Sequence, residues 1–136
     1  MSLSQEERNA IVAYRTEKAR MALDEIKKVM PLEVWSIIAN RMYYALYYAV
    51  SALLTKDSHP VNTHKGALSL VNQYYVKTDI LTKEDGHLFG QVFAFRQGSD
   101  YDDFIDATKE DVEQIFPKVE ALVEKIIALT NEKSSK

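Results

Sequence analysis

Between Ser36 and Leu54 the chain reads SIIANRMYYALYYAVSALL, an almost unbroken apolar and aromatic run without glycine or proline. A helix on a protein surface keeps one polar face, whereas a helix that is apolar nearly all round has to be enclosed by others. The run therefore predicts a central bundle helix. Ile38, Met42, Ala45, Ala49 and Ala52 recur at helical spacing and Leu46, Val50 and Leu53 form a second row, with the alanines allowing a neighbouring backbone close. Two polar residues, Asn40 and Arg41, interrupt this surface in its first turns, and a guanidinium there is costly unless it is paired.

A run of roughly 20 apolar residues is also long enough to span a bilayer. Asn40 and Arg41 are expensive in lipid, Tyr43, Tyr44, Tyr47 and Tyr48 crowd the middle instead of forming belts at the ends, and no other segment is comparably apolar. No membrane association is expected. The 136 residues are read as one domain, 1–136, large enough for a core without disulfides or metals, and no cysteine is present to supply either. Met1 to Ala10 is polar and charged, with no apolar signal stretch, which makes the cytoplasm the expected location. A net charge of −3 speaks against broad, salt-driven nucleic-acid binding but leaves room for a local basic cleft. With only four glycines and three prolines and no alternating Val/Ile/Thr-rich run, the class is all-α, an up-and-down bundle of five helices.

Ser4-Gln5-Glu6-Glu7 has the form of a capping box and opens the first helix, Ser4 to Met30, with Ile11, Tyr14, Met21, Ala22, Ile26 and Val29 as its buried stripe and Pro31 beyond its end. The second helix runs from Leu32 to Thr55. Lys56 to Asn62, with Pro60, reads as a loop, and Thr63 caps a third helix that carries His64, Leu68, Val71 and Tyr75 and closes near Lys77. Thr82 caps a fourth, which Gly98 is suited to stop after Gln97. Ser99 to Ala107 forms an acidic connector with Tyr101, Phe104 and Ile105 tucked inward. Thr108 caps the last helix, to Asn131, whose Val112, Ile115, Val119, Leu122, Ile126 and Leu129 keep phase across Pro117, so one bent helix is expected before a frayed tail at 131–136.

The sequence holds no cysteine nucleophile, no glycine-rich phosphate loop and no H-E-x-x-H, and the carboxylates of Asp100, Asp102, Asp103 and Asp106 lack the spacing of a metal loop. No metal or cofactor is implied. What remains is a constellation of Asn40, Arg41, Tyr44, His64, Arg96, Asp100 and Tyr101.

Three separated motifs, ANRMYYALYYAVSALL, the Thr63-His64 pair and FRQGSDYDDF, together resemble the HEPN domains, in particular their small stand-alone prokaryotic branch. The resemblance implies a helical bundle that dimerises, often encoded beside a minimal nucleotidyltransferase in toxin and antitoxin pairs, with many relatives acting as metal-independent ribonucleases. Those ribonucleases place a His after an Arg with four to six residues between the two. Here Tyr101 stands where the nearest allowed His would follow Arg96, and Asp102 and Phe104 do not restore it. The base that moves a proton from an RNA 2′-hydroxyl works best near neutral pKa, and an unperturbed tyrosine is only about 0.1% ionised at pH 7. In some such pairs the nucleotidyltransferase adenylylates a Tyr two residues beyond the His; that position is Asp103 here.

Three functions follow as expectations. The first is a homodimeric toxin-antitoxin component in which Arg96, Asp100 and Tyr101 line a cleft for a nucleotide or RNA phosphate, with Asn40, Arg41 and Tyr44 beside them. The second is a ribonuclease in which Arg96 holds the scissile phosphate and His64 or Tyr101 moves protons; the third is a structural partner of another protein. For single residues a structural role stands beside each of these: Arg41 as an ion pair with Asp100 or Asp102, His64 as a packing or capping residue, and the surplus of Tyr43, Tyr44, Tyr47, Tyr48, Tyr74 and Tyr75 as a dimer interface.

Overall fold

The computed structural model describes residues 3–101 and 107–132, with the backbone alone at 98–101. Five α-helices follow one another: α1 Gln5–Val29, α2 Trp35–Lys56, α3 His64–Val71, α4 Lys83–Tyr101 and α5 Lys109–Asn131. Among the described residues there is no strand. The N-termini of α1, α3, α4 and α5 are capped as the sequence predicts. Ser4 and Glu7 form a reciprocal capping box, as do Thr82 with Asp85 and Thr108 with Asp111, and the Thr63 hydroxyl accepts from the Gly66 amide at 2.8 Å.

α2 is the hub, packed against α1, α5 and α4. Both of its predicted rows are buried, from Ile38 and Met42 through Leu53, and Leu54 joins them. It begins at Trp35, three residues later than expected. Pro31 sits in a short 3₁₀ turn, Met30–Leu32, and Glu33 then adopts a left-handed conformation, φ 57°, which a continuing helix does not allow. No described helix is long and apolar enough to cross a membrane.

Three further expectations need correcting. On α1, Tyr14 is 62% and Met21 46% exposed, while Thr16, Ala19 and Leu23 face the core beside Ala22 and Ile26. The inward face thus mixes the small Thr16, Ala19 and Ala22 with Leu23 and Ile26. The third helix does reach Lys77, but by way of a wide π turn over Asn72–Val76 that turns Tyr75 inward, where its hydroxyl meets the Asp57 carboxylate at 2.7 Å. Gly98 does not end α4; the backbone stays helical to Tyr101, and no described glycine has a positive φ. A glycine permits a left-handed stop without imposing one. Pro117 lies within α5, which is a single helix on both sides of it. The inward placement of Phe104 and Ile105 and the tail beyond Glu132 fall outside the described residues.

Candidate functional site

Where α2, α3 and α4 meet, a group of aromatic rings carries polar tips and two guanidinium groups. Tyr43 is its centre. Its ring is fully buried, stacked on Phe89 at 6.1 Å and packed against Phe93 at 5.6 Å. Its hydroxyl lies 2.6 Å from Nδ1 of His64, the first residue of α3. The register follows from local structure: Thr63 caps α3 and so fixes where His64 leaves the backbone, over the rings of Tyr43 and Tyr47, the latter 4.4 Å away.

Burial, reinforced by the neighbouring Tyr47, holds the Tyr43 phenol well above its ordinary pKa, and Arg96 only partly offsets this. The phenol is therefore a neutral hydrogen-bonding group throughout the physiological range. His64 moves the other way: burial first, and then the positive charge of Arg96, lower its pKa below 6.5 and keep the imidazole neutral at pH 7. A neutral His64 can accept from Tyr43 at Nδ1 and donate from Nε2, or donate at Nδ1 and leave Nε2 as a base.

Two guanidiniums share Tyr44. Arg41 lies 5.0 Å from the centre of its ring and Arg96 5.6 Å, and Arg96 Nη2 donates to the Tyr44 hydroxyl at 3.3 Å. Arg96 also lies 5.6 Å from the centre of the Tyr43 ring. Such cation–π contacts hold a guanidinium flat while leaving edge N–H groups for other acceptors. Arg41 is anchored further: its Nε and Nη2 both donate to Oδ1 of Asn40, at 3.2 and 2.9 Å, and Nη1 faces Glu25 of α1 at 3.5 Å. Its carboxylate partner is thus on α1. A pairing of Arg41 with Asp100 or Asp102 concerns side chains outside the described residues.

Of the residues singled out by sequence, Asn40, Arg41, Tyr44, His64 and Arg96 come together. The side chains of Asp100 and Tyr101 lie outside the described part, although the backbone there continues α4. Tyr43 and Tyr47 were missed as site residues. Tyr43 and Tyr75 are buried inside the protomer, so those two members of the tyrosine surplus serve the core rather than an interface. The spacing held the signal: Tyr43 and Tyr47 are one turn apart, on the side of α2 that faces His64. Among the described residues no cluster of His, Asp and Glu is arranged to hold a metal ion.

A profile of the HEPN domain matches residues 12–131, most of the chain and every element of the site. A UPF0332 protein of Thermotoga maritima is 33% identical over 120 residues, 88% of this chain and 91% of that protein. The chain belongs to the HEPN family. Two archaeal relatives extend the comparison. The protein of Methanocaldococcus jannaschii named "Putative toxin MJ0142" is 32% identical over 103 residues, 75% of this chain and 69% of its own. A UPF0332 protein of Archaeoglobus fulgidus is 24% identical over 111 residues, 82% of this chain and 88% of its own. In this HEPN chain the arginine of the FRQGSDYDDF motif and the histidine that follows Thr63 converge on one pair of tyrosines, although 32 positions of sequence separate His64 from Arg96.

Proposed function

We propose that this HEPN protein is a toxin-antitoxin component that binds a phosphate of a nucleotide or RNA on the surface formed by Arg41, Tyr44 and Arg96, beside His64. The observation that carries this reading is the meeting of two guanidiniums on one tyrosine ring next to an imidazole held neutral. A phosphate offers negative charge and acceptor oxygens to such planar donor forks, and the tyrosine rings offer faces for a base. Membership of the HEPN family and the relative whose name carries the word toxin support the assignment. The working form is a two-fold homodimer, with the half-exposed Tyr44 and Tyr48 near its cleft, and the partner is a minimal nucleotidyltransferase.

Titration with a mononucleotide and with short single-stranded RNA tests the reading. Arg96→Ala should weaken binding, and Arg96→Lys should restore it only in part because a point charge does not reproduce a two-pronged contact. Absence of binding in the folded wild-type protein, with Arg96→Ala lowering stability alone, would assign the cluster to structure. The homodimer is tested by sedimentation, where a monomer at tens of micromolar would remove it.

One feature favours a second reading, a metal-independent ribonuclease. His64 is neutral, oriented through Nδ1 by Tyr43, and close to Arg96, an arrangement in which Nε2 can take the proton of a 2′-hydroxyl while the guanidinium steadies the phosphate. Cleavage in the presence of a chelator that is lost in His64→Ala would select it. Tyr101→His, which restores the family spacing after Arg96, should then raise the rate.

A further inference from the structure

We infer that a second site for a phosphate group lies at the far end of α2, built by Arg8 and Arg15 of α1 against the loop that follows α2. Four basic side chains meet carboxylates from other helices, Arg20 with Glu124, Lys27 with Glu120, Arg41 with Glu25 and Lys125 with Asp85, while Lys56 donates to the Leu129 and Glu132 carbonyls. Arg8 and Arg15 are the two arginines of α1 turned to the end of α2. Among the described residues neither forms an ion pair, and neither has an acidic residue three or four positions away along α1. Arg8 Nε donates to the Thr55 carbonyl at 3.3 Å, while Arg15 Nη1 donates to the hydroxyls of Ser51 and Thr55 at 2.7 and 2.8 Å. Every one of those acceptors is neutral. Among the described residues the two guanidiniums thus meet no counter-charge, in a chain whose net charge is −3.

They line a hollow of about 440 Å³, a size that suits a small ligand. None of its described lining residues is acidic; Ser58, His59 and Asn62 add polar groups from the loop, and Leu3, Ile11 and Val61 an apolar side. The hydroxyls of Ser51 and Thr55 fix the Arg15 fork in advance, so little side-chain freedom is lost when its other donors bind. Donors from two guanidiniums, with hydroxyl and amide groups alongside, match the oxygens and negative charge of a phosphate. A larger hollow, about 790 Å³ between α4 and α5, collects Lys83, Lys118 and Lys125, but Glu84 lies beside them and Asp85 sits 2.6 Å from Lys125. Its charges are largely offset from within.

Ser51 and Thr55 share a face of α2 with Arg41, Tyr44 and Tyr48, since these positions advance by three or four. The hollow is about 16 Å along the helix from Tyr44, a few nucleotides of extended chain. The phosphate can therefore come from a free nucleotide or from an RNA strand that also reaches Arg96. Only the second source rests on the proposed function.

Arginine side-chain NMR signals of the wild-type protein decide the matter, read during titration with inorganic phosphate, then ATP, then oligouridylates of increasing length. The Arg8 and Arg15 Nε–H signals should move saturably with phosphate, and the same shifts should persist in Arg96→Ala, which separates this site from the first. ATP binding as tightly as any oligouridylate identifies a nucleotide site. Affinity that climbs with length, and that Arg8→Ala and Arg96→Ala each reduce, identifies an RNA strand, and Arg8→Ala should then lower the log–log salt slope by about 0.7. Arg8 and Arg15 signals that stay still with all three probes would overturn the inference, as would Arg8→Ala and Arg15→Lys proteins that bind as wild type and lose only stability. The two arginines would then serve merely to cap the carbonyl end of α2.

Discussion

Replacing Tyr43 by Phe isolates the hydrogen bond on which the orientation of His64 rests. The ring is fully buried and keeps its stacking on Phe89 and its contacts with Phe93 and Tyr47 in the variant, so neither a cavity nor a loss of apolar burial contributes. What disappears is the hydroxyl 2.6 Å from His64 Nδ1. A bond between neutral groups contributes about 0.5–1.5 kcal/mol net. His64 is only half-buried, so water can reach the abandoned nitrogen and the larger cost of a sealed unsatisfied group does not arise. Tyr43→Phe should therefore cost about 1 kcal/mol, against about 3–5 kcal/mol for Tyr43→Ala, which also empties the ring site. Urea unfolding followed through the single tryptophan, Trp35 at the start of α2, supplies the measurement, with equal m-values as the check that only stability changed. Combining Tyr43→Phe with His64→Ala closes a double-mutant cycle, in which the double variant should be about 1 kcal/mol less destabilised than the sum of the singles. Additivity to within about 0.3 kcal/mol would refute the reasoning, because the hydroxyl would then hold His64 no better than water does.

Two glycines of α4 should respond to alanine with opposite signs. At Gly86 a new Cβ falls 2.8 Å from Asn72 Oδ1 and 2.9 Å from Val76 Cγ2, so Gly86→Ala should destabilise by about 1–3 kcal/mol; at Gly90 the nearest atoms, of Leu68, are 3.9 Å away, and Gly90→Ala should stabilise by about 0.5–1 kcal/mol, both read by thermal unfolding. Arg41→Ala should cost less than about 1 kcal/mol in chemical denaturation, since Glu25 is half exposed and the pair is 3.5 Å apart, yet it should weaken nucleotide binding in calorimetry if the proposed surface is correct. Stability should also depend on pH through His64. The unfolded chain takes up this proton first as pH falls through 6.5, because the folded state resists it; the contribution is therefore complete above that value, declines as pH falls toward the lower folded midpoint, and is constant below it. His64→Gln should flatten this part of a stability profile measured from pH 7.5 to 5.

The fold was legible because its determinants are local and repeated. Four capping residues, Ser4, Thr63, Thr82 and Thr108, stand where the structure uses them, and both apolar rows of α2 point inward as their period requires. The errors arose where tertiary packing outranks hydropathy. Tyr14 lies three residues beyond Ile11 and Met21 seven beyond Tyr14, spacings that suit one helix face, yet Thr16 and Ala19 go inward and Tyr14 and Met21 stay exposed. The π turn over Asn72–Val76 has no counterpart in composition or period. Its side chains Asn72 and Val76 face α4 at Gly86, where a Cβ would stand 2.8 and 2.9 Å from them, a relation between elements that no local period expresses.

The site was legible in its charged members but not in what arranges them. Arg41 drew notice because a guanidinium among apolar residues needs a reason, and His64 and Arg96 because they stand in the Thr63-His64 and FRQGSDYDDF motifs. Tyr43 looks in sequence like one more aromatic residue of a crowded helix. Its role appears only once α3 sets His64 over α2 and α4 brings Arg96 to the other side of the same ring. The consequence is electrostatic as well as geometric: the burial that raises the phenol pKa also lowers that of the imidazole, and Arg96 pushes both downward. A phosphate bound at Arg96 would cancel that push. The bound anion also favours the imidazolium directly, so the midpoint followed by His64 imidazole NMR should rise with saturating inorganic phosphate in the wild-type protein and stay fixed in Arg96→Ala, where the phosphate loses its anchor; a midpoint that phosphate leaves unchanged in the wild-type protein would place the anion elsewhere.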